Sequence, residues 1–304
     1  MNDGSTDSSL TLCQEFKQDF AHPVVLLNQE NKGLLGARRA GFAASHGKYI
    51  ISLDSDDMLR QDALSIVNDA ICCSGADVIF YGYSRSKEFS DPLYPPLEPS
   101  RFYKADEIRN IFCSTNRMNA MWFKAVARHC IGLEARFDAF GHLNMGEDAV
   151  QSALIYDCAE SAVFVPEALY FYRSNDSSIS LNIGRSYLDD MEKVHAYLES
   201  FAGKWDLGVS SGGLSSQLAS RCVEEICHFA LHYCDGRKFR DSREGLEAAA
   251  CSHCLSLCAS DPSGLSSYAP HTRLTARLLA SGRLHSVWFI SRLRYAIERL
   301  RGGR

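Results

Sequence analysis

The chain has 304 residues, of which 46% are hydrophobic and 23% charged, and its formal net charge at neutral pH is -5. This composition excludes disordered, collagen-like and coiled-coil chains, and the lack of a basic excess argues against nucleic-acid binding. The twelve cysteines are spread along a long chain, so we expect reduced thiols instead of a disulfide framework. The sequence contains no signal-peptide pattern and no apolar run of membrane-spanning length, and it therefore predicts a cytoplasmic protein.

The first part of the chain alternates strand-like and helix-like patterns. Strand patterns occupy residues 23–27, 49–53, 77–81, 162–165 and 168–172, and helical patterns occupy 33–45, 61–73, 105–113 and 146–158. Alternation of this kind predicts an α/β domain with a mostly parallel sheet. From about residue 186 the patterns become helical, so we expect a domain at 1–181 and a helical region at 182–304, with the boundary near Leu181.

An acidic cluster, Asp54-Ser55-Asp56-Asp57, directly follows the second strand pattern. Ligands of parallel sheets lie outside the carboxyl ends of the strands, and oxygen ligands of this kind suit Mg²⁺ or Mn²⁺ bridging a diphosphate. The alternative is an acidic loop that caps the following helix. Spacing alone leaves both interpretations open.

Three other segments have the same ambiguity. Residues 2–9 and 31–39 are rich in turn residues or glycine, and either form simple helix starts or bind a nucleotide. Glu147 and Asp148 begin a helical pattern, where acids are favourable as caps but where a carboxylate can also act as a general base.

The order of these pieces resembles glycosyltransferase family 2. The match runs through Asn2-Asp3-Gly4-Ser5-Thr6-Asp7, Asn31-x-Gly33-Leu34-x-x-Ala37-Arg38, Gly47 to Asp57, Gly146-Glu147-Asp148 and Leu169 to Arg173 with Ser177 and Ser180. It covers roughly residues 1–181. The resemblance implies a GT-A fold, a nucleotide-sugar donor and inverting chemistry. Arg39 is a departure, because the family often has Asn there.

The resemblance also implies roles for individual residues. The nucleotide sugar would be bound by Asp3 at the base, by Arg38, by Asp54 at the ribose or metal, and by Arg173 in a loop that closes over the diphosphate. Asp56 would ligate Mn²⁺ or Mg²⁺. Asp148 would be the catalytic base, with Glu147 as its close neighbour.

We therefore expect a metal-dependent enzyme that transfers a sugar to a saccharide or lipid-linked acceptor in surface polysaccharide synthesis. One alternative is an inactive remnant that binds a nucleotide sugar without transfer. Another is a sugar nucleotidyltransferase, which would need a nucleoside triphosphate and leaves Glu147 and Asp148 without a role.

The family resemblance also predicts a gap at the start of the sequence. Family members usually have a strand, a helix and a second strand before the Asn2-Asp3 motif, and the lack of these about 35 residues should leave neighbouring backbone groups unpaired. We expect either a true start upstream or a truncated, largely inactive copy.

Two C-terminal patterns remain. Cys251, Cys254 and Cys258 with His253 resemble zinc ligands, but we favour small buried residues on one continuous helix. In 284–301 an apolar stripe is flanked by arginines, which suits either a core-facing helix or a peripheral membrane contact at the inner face of the membrane.

Overall fold

The structure is a computed structural model of the chain and describes residues 1–135, 137, 140–174, 184–206, 213–253, 255–256 and 268–302. Packing divides the chain into two compact units, Met1–Phe112 with Arg117–Asp176, and Cys113–Asn116 with Ser177–Arg304. The domain boundary expected near Leu181 lies outside the described residues, so that boundary stays a prediction.

The first unit alternates strands and helices. Its strands are β1 (Asn2–Asp3), β2 (Asn28–Gln29), β3 (Tyr49–Ile51), β4 (Met58–Leu59), β5 (Val78–Ser84), β6 (Phe102–Lys104), β7 (Lys124–Ala127) and β8 (Ser161–Phe171). Its helices are α1 (Ser9–Asp19), α2 (Gly33–Ala44), α3 (Ala63–Ser74), α4 (Ala105–Ser114) and α5 (Glu147–Cys158). A 3-10 turn, Arg128–Ile131, follows β7.

β5 forms the centre of the main sheet, and its residues from Val78 to Tyr81 are fully buried. The strand order is β3-β7-β5-β8-β4, with β6 also paired to β8. β5 and β8 run parallel, whereas β7 and the pairs made by β4 and β6 are antiparallel. The α/β class is confirmed, and the sheet is mixed. β4, β6 and β7 were not predicted, because two to four residues are too short to show a period.

The strand predicted at 23–27 is absent: these residues form no strand, and the short strand β2 begins only at Asn28. Val25 is 63% exposed, while the N–H of Asn2 donates to the carbonyl of Leu27. β1 pairs with β2 over only two residues, in parallel. An apolar run becomes a strand only where a neighbouring strand satisfies its backbone, and an apolar pattern alone does not show whether that neighbour is present.

The second unit is helical. Its helices are α6 (Arg185–Asp206), α7 (Leu214–Tyr233), α8 (Phe239–Ala250), α9 (Pro270–Ala280) and α10 (Leu284–Gly302). Their apolar residues form one core, in which Val223, Phe229 and Leu246 are fully buried. Val287 places the last helix in the same core.

Within the described residues, no helix has both the length and the apolar composition to cross a bilayer. The described cysteines have free thiols. α8 ends at Ala250 and the next two residues are not helical, so the expected continuous helix through Cys251 is wrong. Cys254 and Cys258 lie outside the described residues.

Candidate active site

The acidic cluster forms a turn after β3, and the neighbouring strand β8 holds it in place. The N–H of Asp57 donates to the carbonyl of Asp54 at 3.2 Å. Tyr170, on β8, accepts from the N–H of Asp54 at 3.2 Å and donates its hydroxyl to Asp57 Oδ2 at 2.7 Å. Burial raises the pKa of Tyr170, so the phenol remains a donor. Trp122 stacks on the Tyr170 ring and fixes its orientation.

Asp56 differs from its neighbours because its carboxylate is exposed and accepts no hydrogen bond from the residues that the structure describes. Arg173 instead reaches the backbone: its Nε donates to the Asp56 carbonyl at 2.6 Å, and its N–H donates to Asp57 Oδ1 at 2.8 Å. The turn therefore presents one unused carboxylate to solvent beside two that are already engaged. An all-oxygen set of this kind fits Mg²⁺ or Mn²⁺.

A buried arginine joins this turn to α5. Arg38, on α2, is 8% exposed, and its Nη2 lies 3.0 Å from Asp54 Oδ1 while its Nη1 donates to Asp148 Oδ1. Asp148 Oδ2 accepts no hydrogen bond from the described residues. Arg38 Nε is also buried without a hydrogen-bond partner. The guanidinium thus brings together two carboxylates that lie far apart in the sequence.

Glu147 and Asp148 occupy the first turn of α5, which Gly146 starts with a φ of 85°. Burial is the main cause that raises the pKa of Glu147, to about 7, and the charge of Asp148 adds to it. Burial also raises the pKa of Asp148, against the opposing effect of Arg38. Two acids at a helix N-terminus with pKa values moved toward neutrality are suited to accept a proton near pH 7.

Lys124, the first residue of β7, binds side chains of α5. The sequence motifs do not include it. The side chain is fully buried, and its ammonium donates to Ser152 Oγ at 2.7 Å and to the Tyr156 hydroxyl at 2.8 Å. Two backbone carbonyls, of Met118 and Asn119, complete its acceptors. Burial lowers the pKa of Lys124 to about 7. The only signal in the sequence is one charged residue inside an apolar run, Met121 to Ala127.

Asp3, the last residue of β1, has its carboxylate beside the residues that precede α2 and makes no hydrogen bond to the carboxylate turn. Its Oδ1 accepts from Gln29 Nε2 at 2.6 Å and from the N–H of Lys32 at 3.0 Å. Gly33 begins α2 with a φ of 74°, and a Cβ there would meet the His142 ring at 2.9 Å. Arg38 follows five residues later, about 8 Å along the helix.

Arg39, the departure from the family pattern, has a structural partner. Its guanidinium donates to the carbonyls of Ile131 at 2.9 Å and Gly132 at 2.6 Å, at the end of the 3-10 turn. Of the loop expected to close over a diphosphate, Tyr172 and Arg173 are described, whereas Ser177 and Ser180 lie outside the described residues.

Known proteins and solved structures share similarity with this chain. Residues 1–130 match the family described as Glycosyl transferase family 2. Glycosyltransferase GlyA of Streptococcus pneumoniae serotype 4 is 30% identical over 190 residues, which are 59% of this chain and 26% of that protein. The minor teichoic acid biosynthesis protein GgaA of Bacillus subtilis is 31% identical over 209 residues, which are 65% of this chain and 44% of GgaA. The chain thus spans less than half of either relative.

Solved structures share the fold. The crystal structure of S. aureus TarS 1–349 has a TM-score of 0.61 and 14% identity, covering 99% of this chain and 81% of that one. The complex of the same TarS segment with UDP has a TM-score of 0.63 and 13% identity, with the same coverage. The GT-A fold that the sequence resemblance implied is thereby confirmed.

Proposed function

We propose that this chain is an inverting glycosyltransferase that uses a nucleotide-sugar donor, because residues 1–130 match the model of glycosyltransferase family 2. The observation that carries the proposal is the bridge made by the buried side chain of Arg38, which pairs with Asp54 in the carboxylate turn and with Asp148 on α5. A single displacement requires the donor-binding turn and the base to be adjacent. Asp54 and Asp148 meet this requirement because both pair with the same guanidinium.

In the proposed reaction Asp148 removes the proton from an acceptor hydroxyl. Arg38 engages Oδ1 and orients the carboxylate, which leaves Oδ2 to take the proton. Glu147 is the adjacent acid, and its raised pKa makes it the second candidate for this role. The acceptor oxygen then attacks the anomeric carbon from the face opposite the leaving group, and no covalent intermediate forms.

Donor binding is assigned to the surrounding side chains. Asp3 binds the base, Arg38 contributes to nucleotide binding, Asp54 binds the ribose or metal, and Arg173 belongs to the loop that closes over the diphosphate. Asp56 is the residue we assign to Mn²⁺ or Mg²⁺, since its exposed carboxylate has no hydrogen bond to the described residues. The metal, when bound, neutralises charge on the departing diphosphate.

The acceptor class and the location complete the proposal. Curated relatives carry names from minor teichoic acid and succinoglycan biosynthesis. We therefore place the reaction in surface polysaccharide synthesis at the cytoplasmic face of a membrane, with a saccharide or a lipid-linked saccharide as acceptor.

α10 supplies a surface for peripheral membrane contact. Its apolar stripe is exposed and consists of Phe289, Leu293, Ile297 and Leu300. The opposite face packs in the core through Val287, and Ser291 Oγ donates there to the Leu231 carbonyl. Exposed arginines at 292 and 299 flank the stripe in a chain whose net charge is negative. Anionic lipid complements both features of this face.

A ligand panel tests the proposed activity. Nucleoside diphosphates and nucleotide sugars, with and without Mn²⁺, should raise the unfolding temperature selectively, because they bind the native state. The donor found in this way should then be consumed with an acceptor and give a product of inverted anomeric configuration. Binding without consumption would identify an inactive remnant, and release of pyrophosphate from a triphosphate would identify a nucleotidyltransferase.

A further inference from the structure

A second cluster of ligand-type side chains lies away from the proposed active site. His129 and Cys130 belong to the 3-10 turn after β7, and Cys158 is the last residue of α5. One ligand atom from each of the three lies within 4.8 Å of the others. Glu147 and Asp148 are at the opposite end of α5, about 16 Å away along the helix. The proposed transfer reaction therefore makes no use of this cluster.

The spacing of the three side chains is close to that of a metal site. Tetrahedral zinc with bonds of about 2.3 Å to sulfur and about 2.1 Å to nitrogen holds its ligand atoms about 3.6–3.8 Å apart. The three atoms need to approach by at most about 1 Å to reach that geometry. The Cys158 thiol donates a hydrogen bond to the His129 carbonyl at 3.6 Å, which ties the end of α5 to the turn after β7. The fold thus gathers the ligands before any ion binds.

A carboxylate stands beside the imidazole in the position of a supporting group. Asp77 Oδ1 is 3.4 Å from His129 Nε2. The other oxygen, Oδ2, accepts from the N–H groups of Glu160 at 2.9 Å and Ser161 at 3.2 Å, so the carboxylate is held in place. Carboxylates paired with metal-bound histidines orient the ring and strengthen the bond to the metal.

The charge and accessibility of the cluster also suit a cation. Asp77 places a carboxylate beside the cluster, and a cation that binds the two thiols displaces their protons to solvent. His129 and Cys158 are exposed, which gives an ion a direct path from solvent.

We propose that His129, Cys130 and Cys158 bind a thiophilic divalent cation of the zinc class, with Asp77 supporting the imidazole. Two thiolates and one imidazole select such ions over the oxygen-preferring Mg²⁺ and Mn²⁺. A disulfide between Cys130 and Cys158 is the competing outcome, and it would leave the nearby imidazole and its carboxylate unused. The bound ion would cross-link the turn after β7 to the C-terminal end of α5.

Cobalt provides the test, because thiolate ligands give Co²⁺ an intense near-ultraviolet charge-transfer band that oxygen ligands do not give. We expect the full chain, reduced and stripped with EDTA, to develop this band, to saturate at one equivalent and to lose it when Zn²⁺ is added. Asp56→Ala should keep the band, so failure of the glycosyltransferase assignment and failure of the thiol site are distinguishable.

Matched variants decide whether these residues are the ligands. Cys158→Ser and His129→Ala alter exposed side chains and should each weaken Co²⁺ binding at least tenfold. Cys72→Ser, an exposed cysteine on α3, and Cys251→Ser, from the C-terminal cysteine pattern, should bind as the unaltered chain does. Far-ultraviolet circular dichroism verifies that each variant is folded.

Three results would overturn the proposal. They are a missing charge-transfer band, a band that Cys158→Ser leaves unchanged, and an intact mass two hydrogens lower before reduction that maps to a Cys130–Cys158 disulfide.

Discussion

Replacing Arg38 with methionine tests whether one buried guanidinium holds the two halves of the candidate site together. In the folded chain this side chain pairs with Asp54 and Asp148 and is 8% exposed. At about 4 Å and an effective dielectric constant of about 20, each attraction is worth up to about 4 kcal/mol. Removing one member of a buried ion pair costs about 3–5 kcal/mol in practice, because the remaining charge stays desolvated. The substitution also removes the buried, unpaired Nε and with it a desolvation penalty of about 1–3 kcal/mol. We therefore expect the free energy of unfolding to fall by about 2 kcal/mol at pH 8.

The loss should depend on pH, and the sign follows from the remaining acids. Without Arg38 the pKa of Asp148 rises further above its unfolded value, because burial then acts alone with the neighbouring negative charges. As pH rises, Asp148 therefore loses its proton in the unfolded state before it does so in the folded state. The free energy of unfolding falls with pH between these two pKa values. Below it the folded acids are protonated and neutral. We expect the cost of Arg38→Met to be smaller at pH 5 than at pH 8.

Arg60 provides the matched control. It also pairs with two carboxylates, Asp62 at 2.6 Å and Glu167, but its side chain is 27% exposed. Arg60→Met should therefore cost less than about 1 kcal/mol and show little change with pH.

The assay is urea unfolding followed by fluorescence. In a background where Trp205 and Trp288 are replaced with Phe, Trp122 is the remaining tryptophan of the three, and it stacks on Tyr170 in the first unit. Equal costs for the two arginine variants, or a cost for Arg38→Met that does not fall toward pH 5, would refute the reasoning.

Three further predictions concern binding and transfer. Asp56→Ala should remove Mn²⁺-dependent binding of a nucleoside diphosphate in calorimetry and leave the unfolding temperature unchanged. Asp69→Ala, which alters an exposed acid on α3, should bind normally. Undiminished Mn²⁺-dependent affinity in Asp56→Ala would contradict the metal role. Asp148→Asn should retain donor binding and lower kcat by at least about 10²-fold in a transfer assay; wild-type turnover with loss in Glu147→Gln would move the base to Glu147. Leu293→Glu combined with Ile297→Glu should abolish cosedimentation with anionic liposomes. Leu274→Glu on α9, an equally exposed leucine, should not. Equal sedimentation of the two variants would exclude the α10 stripe as the membrane contact.

The sequence predicted the parts of the site that depend on local order along the chain. Asp54 and Asp56 follow a strand, and Glu147 and Asp148 start a helix, so local patterns marked them as candidates and the order of the motifs gave them roles. The bridge by Arg38 was out of reach, because its partner Asp148 lies 110 residues away and only the folded sheet brings them together. The strand expected at 23–27 failed for the same reason: pairing depends on a neighbour, and apolar composition does not supply one.

Lys124 shows how a residue outside the motifs can set the chemistry of those within them. Its hydroxyl partners keep other acceptors, since Ser152 Oγ also donates to the Asn119 carbonyl and Tyr156 to that of Met118. Lys124→Met should therefore leave no unsatisfied donor and should fold. Burial lowers the pKa of Lys124 from 10.5 to about 7, so the unfolded chain binds that proton more tightly, and the stability of the unaltered chain rises with pH across this interval. The methionine variant lacks the titrating group, so its advantage over the unaltered chain should be largest below pH 7 and should vanish toward pH 10.

The positive charge of Lys124 also lowers the pKa of Asp148, so its removal should shift the acidic limb of the kcat/KM profile for donor consumption to higher pH. A purely structural role would change stability and leave that limb in place, and an unmoved limb in a folded Lys124→Met variant would therefore contradict electrostatic coupling between the buried lysine and the proposed base.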